Sequence, residues 1–128
     1  MLWRMHIMGN YGKELILDLH ECEVATFTKE NIKKYFDELC KLIDMEQCDL
    51  HWWEEEFKIG EKNEPHIIGI SAIQFIRTSN IVIHSLEIMK KAYINIFSCK
   101  DFDEKTAAEF SKNWFKGKIV NKKTIKRI

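Results

Sequence analysis

Apolar residues recur along this chain with periods of two and of about 3.6, and the switching between those periods predicts its elements. Residues 13–22, KELILDLHEC, are rich in β-formers and include an alternating stretch, which predicts a strand. Residues 29–44 change period. Ile32, Tyr35, Phe36, Leu39, Leu42 and Ile43 fall at helical spacing, and Thr28 stands where an N-cap belongs. Residues 48–58, CDLHWWEEEFK, predict an edge strand. Residues 67–76, IIGISAIQFI, and 80–86, NIVIHSL, predict buried strands, with a further strand over 92–99, AYINIFSC. A second helix is predicted over 103–115, with Ala107, Phe110, Trp114 and Phe115 on its apolar face and Gly117 ending it. KIVNKKTIKRI closes the chain as a strand. The order β-α-β-β-β-β-α-β, with strands consecutive in the middle, predicts an α+β two-layer sandwich. A mainly antiparallel sheet would carry two helices on one face. The same order admits two βαβ-like halves, although no sequence repeat relates them.

The 128 residues suit a single domain, residues 1–128, and no low-complexity linker divides them; Pro65 lies in the one plainly polar loop, GEKNEP (60–65). Twenty lysines and arginines balance twenty aspartates and glutamates, which removes any general electrostatic case for nucleic-acid or membrane binding and leaves a small molecule or a protein as partner. No apolar run approaches the roughly 18 residues of a membrane span. The opening MLWRMHIMGNYGK lacks the pattern of a signal peptide, so a cytoplasmic location is expected, with Cys22, Cys40, Cys48 and Cys99 as free thiols.

The chemistry concentrates around one hairpin. If the strands at 80–86 and 92–99 turn about Met89, cross-strand partners have numbers summing to about 178, which sets Ser79 opposite Cys99 and His84 opposite Ile94. A hydroxyl and a thiol distant in sequence thereby become neighbours. His84 follows Ser79 by an odd number of positions, so the two would face opposite sides of a regular strand. Cooperation between them requires a kink at Thr78–Ser79–Asn80, residues competent to turn. A kinked peptide there would be predisposed to rearrange.

At these residues the chain resembles the prokaryotic S-adenosylmethionine decarboxylases. The matching runs are TSNIVIHSLE (78–87) and YINIFSC (93–99), in which Ser79, His84 and Cys99 keep the family's two spacings; Ser71 in GISAIQ, GKELILDLHEC and DFDEKTAAEF extend the similarity. The resemblance implies a proenzyme that cleaves itself between Thr78 and Ser79 and converts Ser79 into a pyruvoyl cofactor. It implies that His84 acts as acid/base in this maturation with Ser71 hydrogen bonding in support, and that the scissile carbonyl belongs to Thr78. The pyruvoyl group would form a Schiff base with the substrate's amino group, and Cys99 would return a proton to the α-carbon. The product, decarboxylated S-adenosylmethionine, would serve spermidine synthesis. No metal is implied, and a homodimer with active sites near its interface is. Two departures from the family pattern concern substrate and processing. Thr78 stands where glutamate is usual. Ser85-Leu86-Glu87-Ile88 replaces threonine-tryptophan-proline-glutamate, which leaves Glu87 as the candidate substrate-binding acid. Ornithine or arginine therefore remain alternative substrates, and a non-processing relative that binds a ligand or partner is a third reading.

Taken singly, each of these residues has a simpler explanation. A lone Ser79 is a turn serine, a lone His84 a satisfied strand histidine, and a lone Cys99 a small buried apolar residue. His20 with Cys22, and Cys48 with His51, could together bind zinc, but neither pair has a zinc-knuckle setting. Trp52 and Trp53 suit adenine stacking or a subunit contact. Glu54–Glu56 read as a solvated edge, and the six lysines and arginines after position 115 read either as an anion site or as a charged edge strand.

Overall fold

The computed structural model describes residues 10–128. Its elements run β1 (Gly12–His20), a 3₁₀ turn (Val24–Thr26), α1 (Lys29–Leu42), β2 (Gln47–Glu55), β3 (Gly69–Ile76), β4 (Ser79–Leu86), β5 (Lys91–Ser98), α2 (Glu104–Phe115) and β6 (Lys118–Arg127). The six strands form one sheet in the order β2-β3-β4-β5-β1-β6, and every pairing is antiparallel. The α+β expectation holds, and the two βαβ-like halves do not. β2 and β6 are the sheet edges, as their charged sequences predict.

Both helices pack on one face. Leu15, Leu17 and Leu19 from β1, Ile81 and Ile83 from β4, and Ile94 and Ile96 from β5 alternate onto that face and meet Ile32, Tyr35, Phe36 and Leu39 of α1 and Ala107, Ala108 and Phe115 of α2. Thr28 caps α1 as predicted, its hydroxyl accepting the Asn31 amide at 3.1 Å. Asp103 caps α2 by accepting the Thr106 amide, which holds its carboxyl below the usual range.

Two details of the expected core change. Leu42 is 48% exposed and Cys40 is buried in its place. Residues 32, 36, 39, 40 and 43 lie on one stripe of the helix, and position 42 falls beside it. Gly117 does not end α2; Lys116 takes the left-handed turn, with φ 53°. A Cβ on Gly117 would come within 2.7 Å of Cys22 Sγ, so glycine is there for close packing.

The opposite face has no helix. Ser71, Ile73 and Phe75 of β3, Val82 and His84 of β4, and Tyr93 and Phe97 of β5 alternate onto it. Trp53, Ile73 and Phe75 are 68%, 37% and 41% exposed there. Among the described residues no helix is long and apolar enough to cross a membrane. The expectation about the opening segment falls mainly on residues 1–9, outside the described residues.

Candidate active site

β3 and β4 are joined by a two-residue turn, Arg77–Thr78, that closes on the pair Ile76–Ser79. Two-residue hairpin turns usually need positive φ at their central residues, and hence Gly or Asn. Arg77 and Thr78 supply neither residue type, and among the non-glycine described residues of this hairpin the positive φ falls on Ser79, at 149°. A serine held there costs about 1–3 kcal/mol and persists only when its surroundings over-determine it. The kink that the spacing of Ser79 and His84 requires is thus at Ser79 itself. The Asn80 side-chain amide donates to Ser79 Oγ at 3.3 Å. Asn80 pairs with Phe75 and Phe97, so the kinked hydroxyl reaches a side chain of the open face.

The β4–β5 register differs by one residue from the expected one. Leu86 pairs with Lys91 across a four-residue turn, and Lys90 supplies its left-handed position, with φ 56°. The turn therefore centres between Ile88 and Met89. Ser79 faces Ser98, not Cys99, and His84 faces Tyr93, not Ile94. The shift brings the Cys99 backbone, not its side chain, to the Thr78–Ser79 peptide. The Cys99 amide donates to the Thr78 carbonyl at 3.0 Å, so the carbonyl that Ser79 would attack is already polarised. Cys99 itself is half-buried and unbridged. Gly12 permits this approach, since a Cβ there would stand 2.3 Å from the Ser98 carbonyl oxygen and 2.7 Å from Cys99 Cα.

Tyr11 is a neighbour that sequence reasoning missed. Charge on Cys99 and a hydrogen bond with it raise the Tyr11 phenol above its ordinary range. Its position just before β1, far from Cys99 in sequence, left no local signal; the β1–β5 pairing makes the contact.

Ser71 and His84 are cross-strand partners on the open face, and Ser71 Oγ lies 2.8 Å from His84 Nδ1. Clefts flank this pair, lined by His51, Trp53, Ile73 and Val82 on one side and by Glu55, Tyr93 and Met89 on the other. Glu87 lies in the β4–β5 turn, and the carboxylate lining the cleft is Glu55.

The two groups do not meet within one chain. Five residues of extended strand at about 3.3 Å each separate Ser79 from His84 by about 16 Å. The kink turns the Ser79 hydroxyl but cannot close that distance. The zinc reading fails on similar grounds. His20 and Cys22 belong to β1 and the loop after it, Cys48 and His51 to β2, and three strands lie between β1 and β2. Burial also pushes the Cys22 thiol up to about 11.

A hairpin serine at positive φ, preceded by a hydrogen-bonded carbonyl, stands on a six-stranded antiparallel sheet backed by two helices, the architecture of an α+β protein. The chain belongs to the S-adenosylmethionine decarboxylase family, whose model matches residues 13–128. Among solved structures it is similar to the adenosylmethionine decarboxylase from Aquifex aeolicus, with a TM-score of 0.75 at 16% identity over 94% of this chain and 92% of that one. A search of curated proteins finds no match.

Proposed function

We propose that the chain is a self-processing decarboxylase that acts on S-adenosylmethionine and derives its pyruvoyl group from Ser79. The observation that carries this reading is the strained Thr78–Ser79 peptide, whose carbonyl accepts the Cys99 amide at 3.0 Å. Ser79 Oγ attacks the Thr78 carbonyl carbon, the C–N bond breaks, and the nitrogen takes the proton, giving an ester. Loss of the Ser79 α-proton expels the Thr78 carboxylate. Water then hydrolyses the resulting enamine, through its imine tautomer, and releases ammonia. The new chain end is a pyruvoyl group, and the 1–78 fragment ends in a carboxylate.

The residues at the site fit that group. Asn80 lies against the position 79 side chain, and the half-buried thiol of Cys99 is the adjacent proton source. When formed, the pyruvoyl ketone supplies the electron sink for carbon dioxide loss. Tyr11 borders Cys99 and orients its thiol. The exposed aromatic surface of Trp53, with Tyr93 lining the same cleft, suits a purine better than a short aliphatic amino acid. The supply of decarboxylated product for polyamine synthesis follows from this substrate. Four unbridged cysteines support a reducing, cytoplasmic setting.

The separation of about 16 Å along β4 supports a homodimer. Two sheets pack face to face about 10 Å apart, which suits the apolar open face of this chain. A two-fold operation makes every contact twice. Ser79 and Cys99 of one protomer then face Ser71 and His84 of the partner subunit, and the dimer holds two complete sites.

Intact-mass measurement tests the reading. The expected result is two fragments splitting at Thr78/Ser79, together heavier than the uncut chain by one water and lighter by one ammonia. A single uncut chain of 15.3 kDa after long incubation overturns it and favours a non-processing binding protein. Release of labelled carbon dioxide is then compared for S-adenosylmethionine, ornithine and arginine. Faster release from either amino acid overturns the substrate assignment and leaves the cofactor assignment standing.

A further inference from the structure

Thr78 enters the proposed cleavage chemistry through its carbonyl alone, yet its side chain is buried in a hydrogen-bonded cluster. Thr78 is 6% exposed and Ser98 fully buried. The Lys100 amide donates to Ser98 Oγ at 3.0 Å, and Ser98 Oγ donates to Thr78 Oγ1 at 2.8 Å. Thr78 Oγ1 in turn lies 3.5 Å from Met45 Sδ, the acceptor for its own proton. Ser98 Oγ also lies 3.6 Å from the same sulfur, so the two hydroxyls and Met45 Sδ close one buried cluster into which the Lys100 amide donates. Next to it the Arg77 amide donates to the Glu46 carbonyl at 3.0 Å. The turn that carries the scissile bond is therefore tied to residues 45–46, and its carbonyl is tied to Cys99.

We propose that the buried Thr78 hydroxyl, held by Ser98 and Met45, is a positioning device for self-cleavage. It fixes the residue before Ser79 so that its carbonyl stays on the Cys99 amide while Ser79 is held at positive φ. A strained conformation relaxes unless its neighbours are clamped. On one side the clamp is Thr78, at three points: its carbonyl, its hydroxyl and the amide of Arg77 before it. Without the hydroxyl the turn can rotate, the carbonyl leaves its donor, and Ser79 relaxes away from the attack geometry. This inference rests on the self-cleavage reading and gives Thr78, Ser98 and Met45 roles in setting its rate.

The test uses the full chain and four variants: Thr78→Val, which keeps the shape without the hydroxyl; Thr78→Ser, which keeps the hydroxyl; Ser98→Ala; and Met45→Leu. Cleavage is followed by intact mass after pulsed cell-free synthesis. The melting temperature of each variant is measured in a Ser79→Ala background, where no chain can be cut and all are compared uncut. Thr78→Val and Ser98→Ala are expected to slow cleavage by about 10-fold to 100-fold, the range that misplaced reacting groups cause. Met45→Leu is expected to slow it less, and Thr78→Ser to restore the rate to within about threefold, with every variant still cooperatively folded at the assay temperature in the uncut background. Wild-type cleavage rates in Thr78→Val overturn the positioning role while leaving self-cleavage intact. A slowing that Thr78→Ser fails to rescue, or one matched by unfolding of the uncut variant, overturns it as well. Absence of cleavage in the wild-type chain overturns the self-cleavage reading itself.

Discussion

Two inactive variants should make an active protein when expressed together. On the proposed mechanism no pyruvoyl group can form in Ser79→Ala, and His84→Ala lacks the histidine proposed to assist cleavage. Within one chain Ser79 and His84 lie about 16 Å apart along β4, roughly five times the reach of a hydrogen bond. Cleavage by a chain's own His84 would require β4 to fold back on itself and abandon its pairing with both β3 and β5. In the proposed two-fold dimer each site would take its serine from one protomer and its histidine from the other. A mixed dimer then has one site with both residues and one with neither. Random pairing of equal amounts puts about half of all chains in mixed dimers, so about half of the His84→Ala chains should be cut. No Ser79→Ala chain should be cut at all. The assay is intact-mass measurement of co-expressed chains carrying distinguishable tags, with each variant expressed alone as the control. The absence of cut His84→Ala chains in a mixture shown to contain mixed dimers would refute the two-protomer site. Efficient cutting of His84→Ala by itself would remove the histidine from the maturation chemistry.

Cys99→Ala is expected to be cut, because the polarising donor is the backbone amide, and then to decarboxylate about 10²-fold or more slowly by release of labelled carbon dioxide; full activity would refute the proton-donor role. In the core, the Tyr35 hydroxyl lies 2.6 Å from Ser111 Oγ, which donates to the Ala107 carbonyl. Ser111→Ala leaves a buried phenol unpaired and should cost about 1–3 kcal/mol in denaturant unfolding, whereas Tyr35→Phe should cost about 1 kcal/mol; the reverse order would refute this assignment of donors. Hydrogen bonding to Lys13 depresses Glu104, and bonds from Gln47 and Lys33 outweigh burial to depress Asp37. Groups with folded pKa values below their unfolded ones stabilise the fold above the ordinary carboxylate range, and that stability is lost as pH falls through the folded values. Melting temperature should therefore drop below about pH 4, and Lys13→Met should make the drop shallower; an unchanged acid slope would refute the Lys13–Glu104 contribution.

The sequence by itself determined the order of elements, the Thr28 cap, the charged edges of the sheet and the need for a kink at Ser79. Each of these is local, set by a side-chain period, by a capping hydroxyl or by the parity of a spacing. Register was not local in that sense. A four-residue turn with Lys90 in the left-handed region shifts every β4–β5 pair by one, and residues 87–90 offer no glycine to signal it. That single step moves Cys99 from facing Ser79 to donating its amide to Thr78. The separation of Ser79 from His84 was also invisible, because a short spacing in sequence is a long distance in an extended strand. Conversely, Thr78, Ser98 and Met45 read singly as a turn residue and two strand or loop residues. Only the packing of the β3–β4 turn against the segment after α1 brings their hydroxyls and sulfur into one buried chain. Periodicity records which face a residue belongs to, and only the folded chain sets what lies across from it.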